Sequence, residues 1–431
     1  MSWTRTSLRG VAEVALGRQR APQHADGPHM VPYLRAANVK DGELALDDVM
    51  SMNFTPQEQK TFSLIPGDVL VTEGSGSLSS VGAAAVWAGE IGGAVCFQNT
   101  LLRLRPRQGV TDGRFLGWWA RSAFGSGLFA SIATGANIYH VSAERVRSLP
   151  VELPSLEEQR RIADFLDDKV AQIEKIQKVR RESRALIVER RIVLVDALVR
   201  GALDSDRVNA DFFPLGEISS RWRQGRLRNV ECEVQTGPFG SQLHAEDYVD
   251  DGWPVINPAN ITPDGLISLP GMAVGEKIRM RLSRHILRED DVVFGRRGEL
   301  GRTGIVTSRE AGWVCGTGSL RVRFKNDVFE AGYLSRYLSI PAIRHYFELQ
   351  SVGSTMANLN TSILLSVPLL MPDLDEQREI VERCRAVEDD CRKLVQGIER
   401  QLEILVERKQ ALITAAVTGN IDVTTARGMR E

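Results

Sequence analysis

The sequence predicts an α+β protein: two mixed α/β globules joined by two long helices that form an antiparallel coiled coil, pseudo-two-fold symmetric. Three observations predict it. A helix-like stretch from Pro154 to Gly201 recurs from Pro372 to Gly419, and Ser155 with Asp373, Gln159 with Gln377 and Gly201 with Gly419 all stand 218 residues apart (372 less 154). Both copies carry apolar residues at steps of three and four, the mark of a narrow heptad seam. The segments ahead of them repeat one order of strand and helix signals, so the duplicated unit is a globule followed by a rod.

Taken in order, residues 1–150 form the first globule. Short apolar runs are broken by turns: Pro66-Gly67-Asp68 ahead of Val69-Leu70-Val71, the loop Glu73-Gly74-Ser75-Gly76-Ser77, then Gly82 to Trp87 and the alternating Leu102-Arg103-Leu104-Arg105. These are strand signals. A helical piece follows at Phe115 to Ala120, and a glycine turn from Gly135 to His140 precedes a strand-like Leu149 to Leu153.

Residues 151–204 hold the first spacer helix. Ser155 is a side-chain cap three residues ahead of Glu158, the arrangement in which cap and glutamate satisfy each other's backbone N–H groups, and Gly201 can close the helix with positive φ. The seam runs through Ile162, Leu166, Val170, Ile173, Ile176, Val179, Leu186, Val193 and Ala197. About 45 residues at 1.5 Å each make a rod roughly 68 Å long, more than a small domain needs to cover its core.

Residues 205–370 form the second globule. Asp290-Asp291-Val292-Val293-Phe294 answers the strand after Gly67, Cys315-Gly316-Thr317-Gly318 answers Cys96-Phe97-Gln98-Asn99, and Leu320-Arg321-Val322-Arg323 answers the alternating strand. This globule is richer in arginine: Arg221 to Arg228, a run through Lys277, Arg279, Arg281, Arg284 and Arg288, and Arg296-Arg297 with Arg302 beyond a strand end. Arginine suits bidentate contact with guanine edges and phosphates. The same arginines suit ion pairs with the equally numerous acids.

Residues 371–431 hold the second spacer helix and a tail. Its seam runs through Ile380, Cys384, Val387, Cys391, Leu394, Ile398, Leu402, Leu405, Leu412 and Ala416, with Lys409 as the one charged interruption. Each rod has a single narrow seam and the other supplies its match, so the second runs back along the first. Like rods bearing like globules are then related by an approximate two-fold axis, the geometry of proteins that meet two separated half-sites on a duplex.

Composition bounds what the chain does. With 431 residues, 43% hydrophobic, it can bury several cores. No run of 18 or more apolar residues and no signal-peptide region occurs, which points away from membrane and export and towards the cytoplasm. The five cysteines lack any C-x-x-C spacing and read as buried thiols in a reducing compartment. Net charge is −1, with +2 over residues 1–150 (14 basic, 12 acidic) and −3 over residues 371–431 (10 and 13). Such a balance does not advertise a nucleic-acid binder, so DNA contact must rest on local clusters or on partners. No phosphate-binding loop, dinucleotide fingerprint, H-x-x-x-H pair or credible triad spacing is present, and Asn257-Pro258-Ala259-Asn260 fails a base-methylation motif at its third position. The expectation is a non-catalytic recognition or scaffold protein.

The paired openings Leu153-Pro154-Ser155-Leu156-Glu157-Glu158-Gln159-Arg160 and Met371-Pro372-Asp373-Leu374-Asp375-Glu376-Gln377-Arg378 carry a resemblance, as do the helix ends Asp196 to Gly201 and Ala415 to Asp422 and the run Thr236-Gly237-Pro238-Phe239-Gly240-Ser241. The chain resembles the specificity subunit of type I restriction-modification systems over essentially its whole length. Globule one departs from the pattern, Gly17-Arg18-Gln19-Arg20-Ala21-Pro22 standing where the Thr-Gly-x-x-Gly-Ser run is expected.

The resemblance implies that each globule is a target recognition domain reading one half of a bipartite sequence in double-stranded DNA, with the helices as a ruler for the unread spacer. It implies two methyltransferase subunits bringing S-adenosylmethionine and two restriction/translocase subunits using ATP and magnesium, with no cofactor or metal in this chain. Candidate DNA contacts are Arg18, Arg20 and Ser77 in globule one and Arg223, Gln242, Arg296, Arg297 and Arg302 in globule two. Two other readings fit the same rods: a coiled-coil protein scaffold without DNA readout, and an orphan specificity subunit serving methylation only.

Overall fold

The computed structural model describes residues 3–212, 215–239, 242–262, 265–296, 301–325, 328–350 and 359–423. The chain divides into two compact units, Met1–Arg181 with Ile398–Glu431, and Glu182–Gly397. Both divisions fall inside the long helices, so each unit is a globule together with half of each rod.

In the first unit, β1 (Thr4–Ser7) pairs antiparallel with a strand much later in the chain. Next come β2 (Ala12–Leu16), β3 (Met30–Leu34), β4 (Met50–Asn53), β5 (Val69–Thr72), β6 (Ala84–Val86), β7 (Cys96–Phe97) and β8 (Leu101–Pro106). The main sheet is antiparallel in the order β2-β8-β5-β6, and a smaller sheet runs β7-β3-β4 with β7 parallel to β3. Both faces of the main sheet are covered, which is why β5 is buried at every position instead of alternating. Val69, Val71, Leu102 and Leu104 pack on Trp119 and Phe129, while Leu70 and Leu101 pack on Trp87 and Phe97.

Helix α1 (Gly113–Gly125) starts where the Asp112 carboxylate accepts from the backbone N–H groups of Arg114 and Phe115. Leu116, Trp119 and Ala120 face the sheet, and Phe115 and Trp118 face the rods. Strand β9 (Pro150–Leu153) is the partner of β1 and leads into α2 (Leu156–Val199).

The second unit repeats this plan with β10 (Arg223–Arg226), β11 (Cys232–Thr236), β12 (Trp253–Ile256), β13 (Val292–Gly295), β14 (Thr303–Ile305), β15 (Val314–Cys315), β16 (Ser319–Phe324), helix α3 (Ala331–Ser339), β17 (Pro368–Met371) and the long α4 (Leu374–Val417). Its main sheet is β11-β16-β13-β14, β15 lies parallel to β12, and β10 pairs with β17.

The 218-residue offset holds from β7 and β15 (Cys96 to Val314) onward, but is 220 for β2 and β11 (Ala12 to Cys232) and 223 for β5 and β13 (Val69 to Val292). The copies differ in length only ahead of β7. This register places Cys315 opposite Phe97 and not Cys96, correcting the cysteine match by one residue: the strand pairs Leu34↔Phe97 and Ile256↔Cys315 are the equivalent ones.

Of the alternating arginines, Arg103 and Arg321 prove buried and Arg105 and Arg323 half-buried. Arg103 is 2% exposed, with Nη2 at 2.9 Å from Glu13, and Arg105 binds the fully buried Asp68 at 2.8 and 2.7 Å. Arg321 with Glu233 (2.8 Å) and Arg323 with Asp291 (2.7 and 2.6 Å) repeat both pairs. A two-sided sheet needs such pairs, since a charge facing a covering layer is tolerated only when matched.

Within the first unit the opening half of α2 packs antiparallel to the closing half of α4 through Ile162, Leu166 and Val170 against Ile413, Ala416 and Val417. Lys409, the charged interruption, reaches Glu174 at 3.4 Å. Within the second unit Leu198 and Val199 share a core with Ile380, Val381 and Cys384, closed by Tyr333 and Tyr337 of α3.

The seam on α2 differs from the expected one beyond Ile173. Ile176, Val179, Leu186 and Val193 are 47–64% exposed, as is Leu394 on α4 at 56%, and the buried position after Ile173 is the polar Gln177 at 3%. At about 100° per residue, two successive steps of three carry a row about 120° off the inward face, so these residues form a stripe on another side.

Each helix opens at its predicted cap and closes at its predicted glycine, but the reciprocal half of the cap, from the glutamate back to the cap residue, is not the bond the glutamates make. Ser155 Oγ accepts from Glu158 N at 3.3 Å and Asp373 Oδ1 from Glu376 N at 2.9 Å, and Gly201 and Gly419 take φ of 63° and 74°. The glutamate carboxylates serve elsewhere: Glu158 accepts from Trp3 Nε1 at 3.1 Å and Glu376 from Arg221 at 2.9 Å. Gln159 and Gln377, the glutamines of the repeated motif, are 0% and 2% exposed. Gln159 Oε1 accepts from Asp112 N while its Nε2 donates to the carbonyls of Val110 and Pro154; Gln377 makes the matching bonds to Glu330 N and Pro372 O. The motif is therefore a latch between each rod and the cap of the helix α1 or α3 beside it.

Candidate nucleic-acid interface

In each unit the main sheet has one end at the rods and one end away from them. In the second unit the rod end carries Cys232 and Phe324, and the other carries Thr236, Ser319 and Gly295, fixed by the register Cys232↔Phe324 and Thr236↔Leu320. Chain leaving β11 and entering β14 meets there. Gly237 N donates to Ser319 O at 3.0 Å, Arg296 N to Gly318 O at 3.0 Å and Gly295 N to Arg302 O at 3.0 Å, so Arg296 and Arg302 flank this edge.

The Arg296 guanidinium lies 5.1 Å from the centre of the Phe239 ring and its Nε donates to Leu359 O at 3.0 Å; Arg302 Nη1 reaches Ile261 O at 3.4 Å. Gln242 is exposed, its Oε1 accepting from Phe239 N at 3.1 Å. Arg281 joins them, donating to Gln242 O at 3.2 Å and Asp247 at 2.8 Å. The structure thus brings Gln242, Arg296 and Arg302 to one edge and adds Phe239 and Arg281. An aromatic within a glycine turn and one arginine of a long run have no sequence signal that separates them from their neighbours.

One candidate lies elsewhere. Arg223 is exposed but pairs through β10 with Met371, beside the start of α4, at the rod end of its globule. Arg297 lies outside the described residues.

Behind this edge stands a buried polar cluster. Arg321 donates to Gln235 Oε1 at 3.0 Å, and Gln235 Nε2 lies 3.5 Å from His285 Nδ1. Burial pushes His285 below the usual imidazole range, with the charges of Arg321 and Arg284 adding to it and a hydrogen bond to the Thr236 backbone opposing it. Burial likewise pushes the neighbouring Cys315 thiol up to about 12.

In the first unit the equivalent edge gathers the chain after β2 and the loop after β5, since Gly17 N donates to Leu101 O at 3.2 Å and Glu73 N to Thr100 O at 2.9 Å. Arg20 and Ser77 are exposed there, with Ser77 Oγ 2.8 Å from Ser79 Oγ. Tyr139–His140 pairs with Gly74–Ser75, and His140 Nδ1 lies 3.0 Å from Glu73.

Arg18 is at this edge but turned inward. It is 7% exposed, forms an ion pair with Glu58 at 2.8 Å, donates to the Asn53 carbonyl and covers the Phe54 ring at 4.8 Å. Its guanidinium is a structural link between the two sheets, which removes it from the surface set. The two edges therefore differ in chemistry, arginine with an aromatic in one and serine, glycine and histidine with Arg20 in the other.

Among the described residues no three His, Cys, Asp or Glu side chains come together as a metal site, and no helix is long and apolar enough to cross a membrane. The sequence model of the type I restriction modification DNA specificity domain matches residues 2–182 and again residues 220–404. The chain belongs to this family. It is 22% identical over 430 residues to the EcoBI specificity subunit of Escherichia coli, covering 97% of this chain and 86% of that protein. Its fold is that of a chain from a structure on complex assembly and conformational transition of the type I R-M system (TM-score 0.68, 19% identity, 97% and 98% of the two chains). The HsdS subunit from Thermoanaerobacter tengcongensis is similar as well (TM-score 0.55, 19% identity, 97% of each). Both family matches span a globule and part of a rod, so the duplication seen within this chain is a duplication of the family's domain.

Proposed function

We propose that this chain is the DNA sequence-specificity subunit of a type I restriction-modification complex. The observation that carries this reading is the pairing of duplication with divergence: two copies of one specificity domain keep the same latch, cap and sheet, and differ in the side chains at the free sheet edge. A framework held constant under a varied edge is what reading two unlike half-sites requires. In this reading each edge takes one half of a bipartite target in double-stranded DNA and the rods set the unread gap. Methyltransferase subunits, two per chain, supply S-adenosylmethionine chemistry; two restriction/translocase subunits supply ATP- and magnesium-dependent chemistry; the place of action is the cytoplasm. A chain of net charge −1 relies on those partners for much of the phosphate contact.

Footprinting of the assembled complex tests it. Two protected half-sites with an indifferent gap are expected, and one continuous site overturns the reading. Inserting about four residues after Glu182 lengthens the accepted gap by roughly 6 Å with both half-sites unchanged; altered half-sites would remove the ruler role.

A further inference from the structure

The two edges share one backbone feature that points to single reading positions. Each edge begins at a glycine with no room for a side chain: a Cβ on Gly17 would lie 2.2 Å from Gln98 O, and one on Gly237 would lie 1.8 Å from Gly316 O. These are the same place in the two copies, because Gly17 and Gly237 donate to Leu101 O and Ser319 O, equivalent residues of β8 and β16. The residue after the glycine is buried in both, Arg18 and Pro238, and the one after that is exposed in both, Gln19 and Phe239.

The backbone under each exposed residue is fixed. In the first unit Arg18 N donates to Phe97 O and Asn99 N to Arg18 O, both at 3.0 Å, locking the residue before Gln19 on two sides. In the second, Phe239 N is held by Gln242 Oε1 at 3.1 Å and the ring is backed by the Arg296 guanidinium. Pinned glycine, buried residue, exposed residue makes a pedestal that carries one side chain outward from the sheet edge. A side chain on a fixed backbone keeps most of its binding energy, since little order is left to impose.

What the pedestals carry differs in kind. Gln19 presents an amide, whose oxygen and nitrogen match the N6 and N7 of adenine in the major groove. Phe239 presents a ring that is 49% exposed, and an apolar side chain there matches the methyl group of thymine.

We propose that Gln19 and Phe239 are specificity-determining residues at equivalent positions of the two domains, Gln19 reading an adenine edge in one half-site and Phe239 a thymine methyl in the other. This rests on the DNA-reading function proposed above. The test is selection from a randomised duplex pool by the full chain assembled with its methyltransferase subunits, read base by base. If the unmodified complex enriches no two-part sequence, the DNA-reading function itself is overturned. Given such a sequence, Phe239→Ala lowers the preference for thymine at one position of one half by about 10-fold, and Gln19→Ala does the same for adenine at one position of the other half. Gln19→Glu moves that preference towards cytosine, whose N4 amino group needs an acceptor. Phe239→Leu, which keeps an apolar side chain, retains thymine preference and carries the test if Phe239→Ala fails to assemble. An unchanged base profile, or an affinity loss equal for all sequences, overturns the proposal and leaves Phe239 as a contact to protein or phosphate.

Discussion

The glutamine latch gives the sharpest test of how the rods are tied to the globules. Gln159→Leu keeps the side-chain volume but removes the amide that accepts from Asp112 N at 2.8 Å and donates to Val110 O at 3.0 Å and Pro154 O at 2.9 Å. Each lost bond that strands a buried partner costs about 1–3 kcal/mol, so the change costs roughly 3–5 kcal/mol of local stability. Gln377→Leu removes the bonds to Glu330 N and Pro372 O, both 2.9 Å, and costs about 2–4 kcal/mol by the same reasoning. A chain of two compact units has no single unfolding free energy, so amide hydrogen exchange is the suitable assay. A cost of 3 kcal/mol that is local to the latch lowers protection of the Asp112 amide by about 100-fold, with a smaller fall at Glu330 in the second variant. Unchanged protection at Asp112, or a larger loss in Gln377→Leu than in Gln159→Leu, would refute the view that hydrogen bonding by these glutamines fastens the junction.

Further outcomes follow from the same structure. Asp68→Asn, which leaves Arg105 without its fully buried counter-charge, should cost about 3–5 kcal/mol in the first unit, read from hydrogen exchange of the β5 amides; a loss under about 1 kcal/mol would show that the pair is solvated. Because the pKa of His285 is lowered by burial, the unfolded chain binds a proton that the fold does not. Stability of the second unit therefore falls as pH drops through about 6.5 towards the folded value, and His285→Gln should flatten that slope in thermal melts between pH 7 and 5. Asp290 has φ of 64° where its counterpart Gly67 has 95°. Asp290→Val should then destabilise by about 1–2 kcal/mol while Asp290→Gly is neutral or stabilising, and equal effects would argue against backbone strain. Burial raises the thiols of Cys96, Cys232 and Cys384 to about 11 and Cys315 to about 12, so thiol reagents at pH 8 should modify these four slowly in the folded chain and quickly once it is denatured, and equal rates in both states would refute the burial.

The sequence alone determined the duplication, the α+β class, the limits of both rods and the glycines that close them. Those features rest on local rules: caps, breakers and the 3.6-residue period act within a few residues, and a second copy at a constant spacing confirms each against the other. Of the residues it singled out, Gln242, Arg296 and Arg302 stand at one sheet edge in the fold, the two arginines because each follows or precedes a strand end.

Tertiary structure alone decided which charges are available. Arg18 and Arg20 look alike in the chain, yet one is spent on Glu58 and Phe54 and the other is exposed. Arg223 belongs to an arginine run but is carried to the rod end by its pairing with Met371. The inward face of α2 beyond Ile173 was likewise beyond the pattern, since the inward position there is the polar Gln177 while the apolar Ile176 and Val179 are exposed, and only the packing of the rod shows which row turns inward. Burial and pairing are properties of surfaces brought together from distant parts of the chain, and no local sequence rule encodes which surfaces meet.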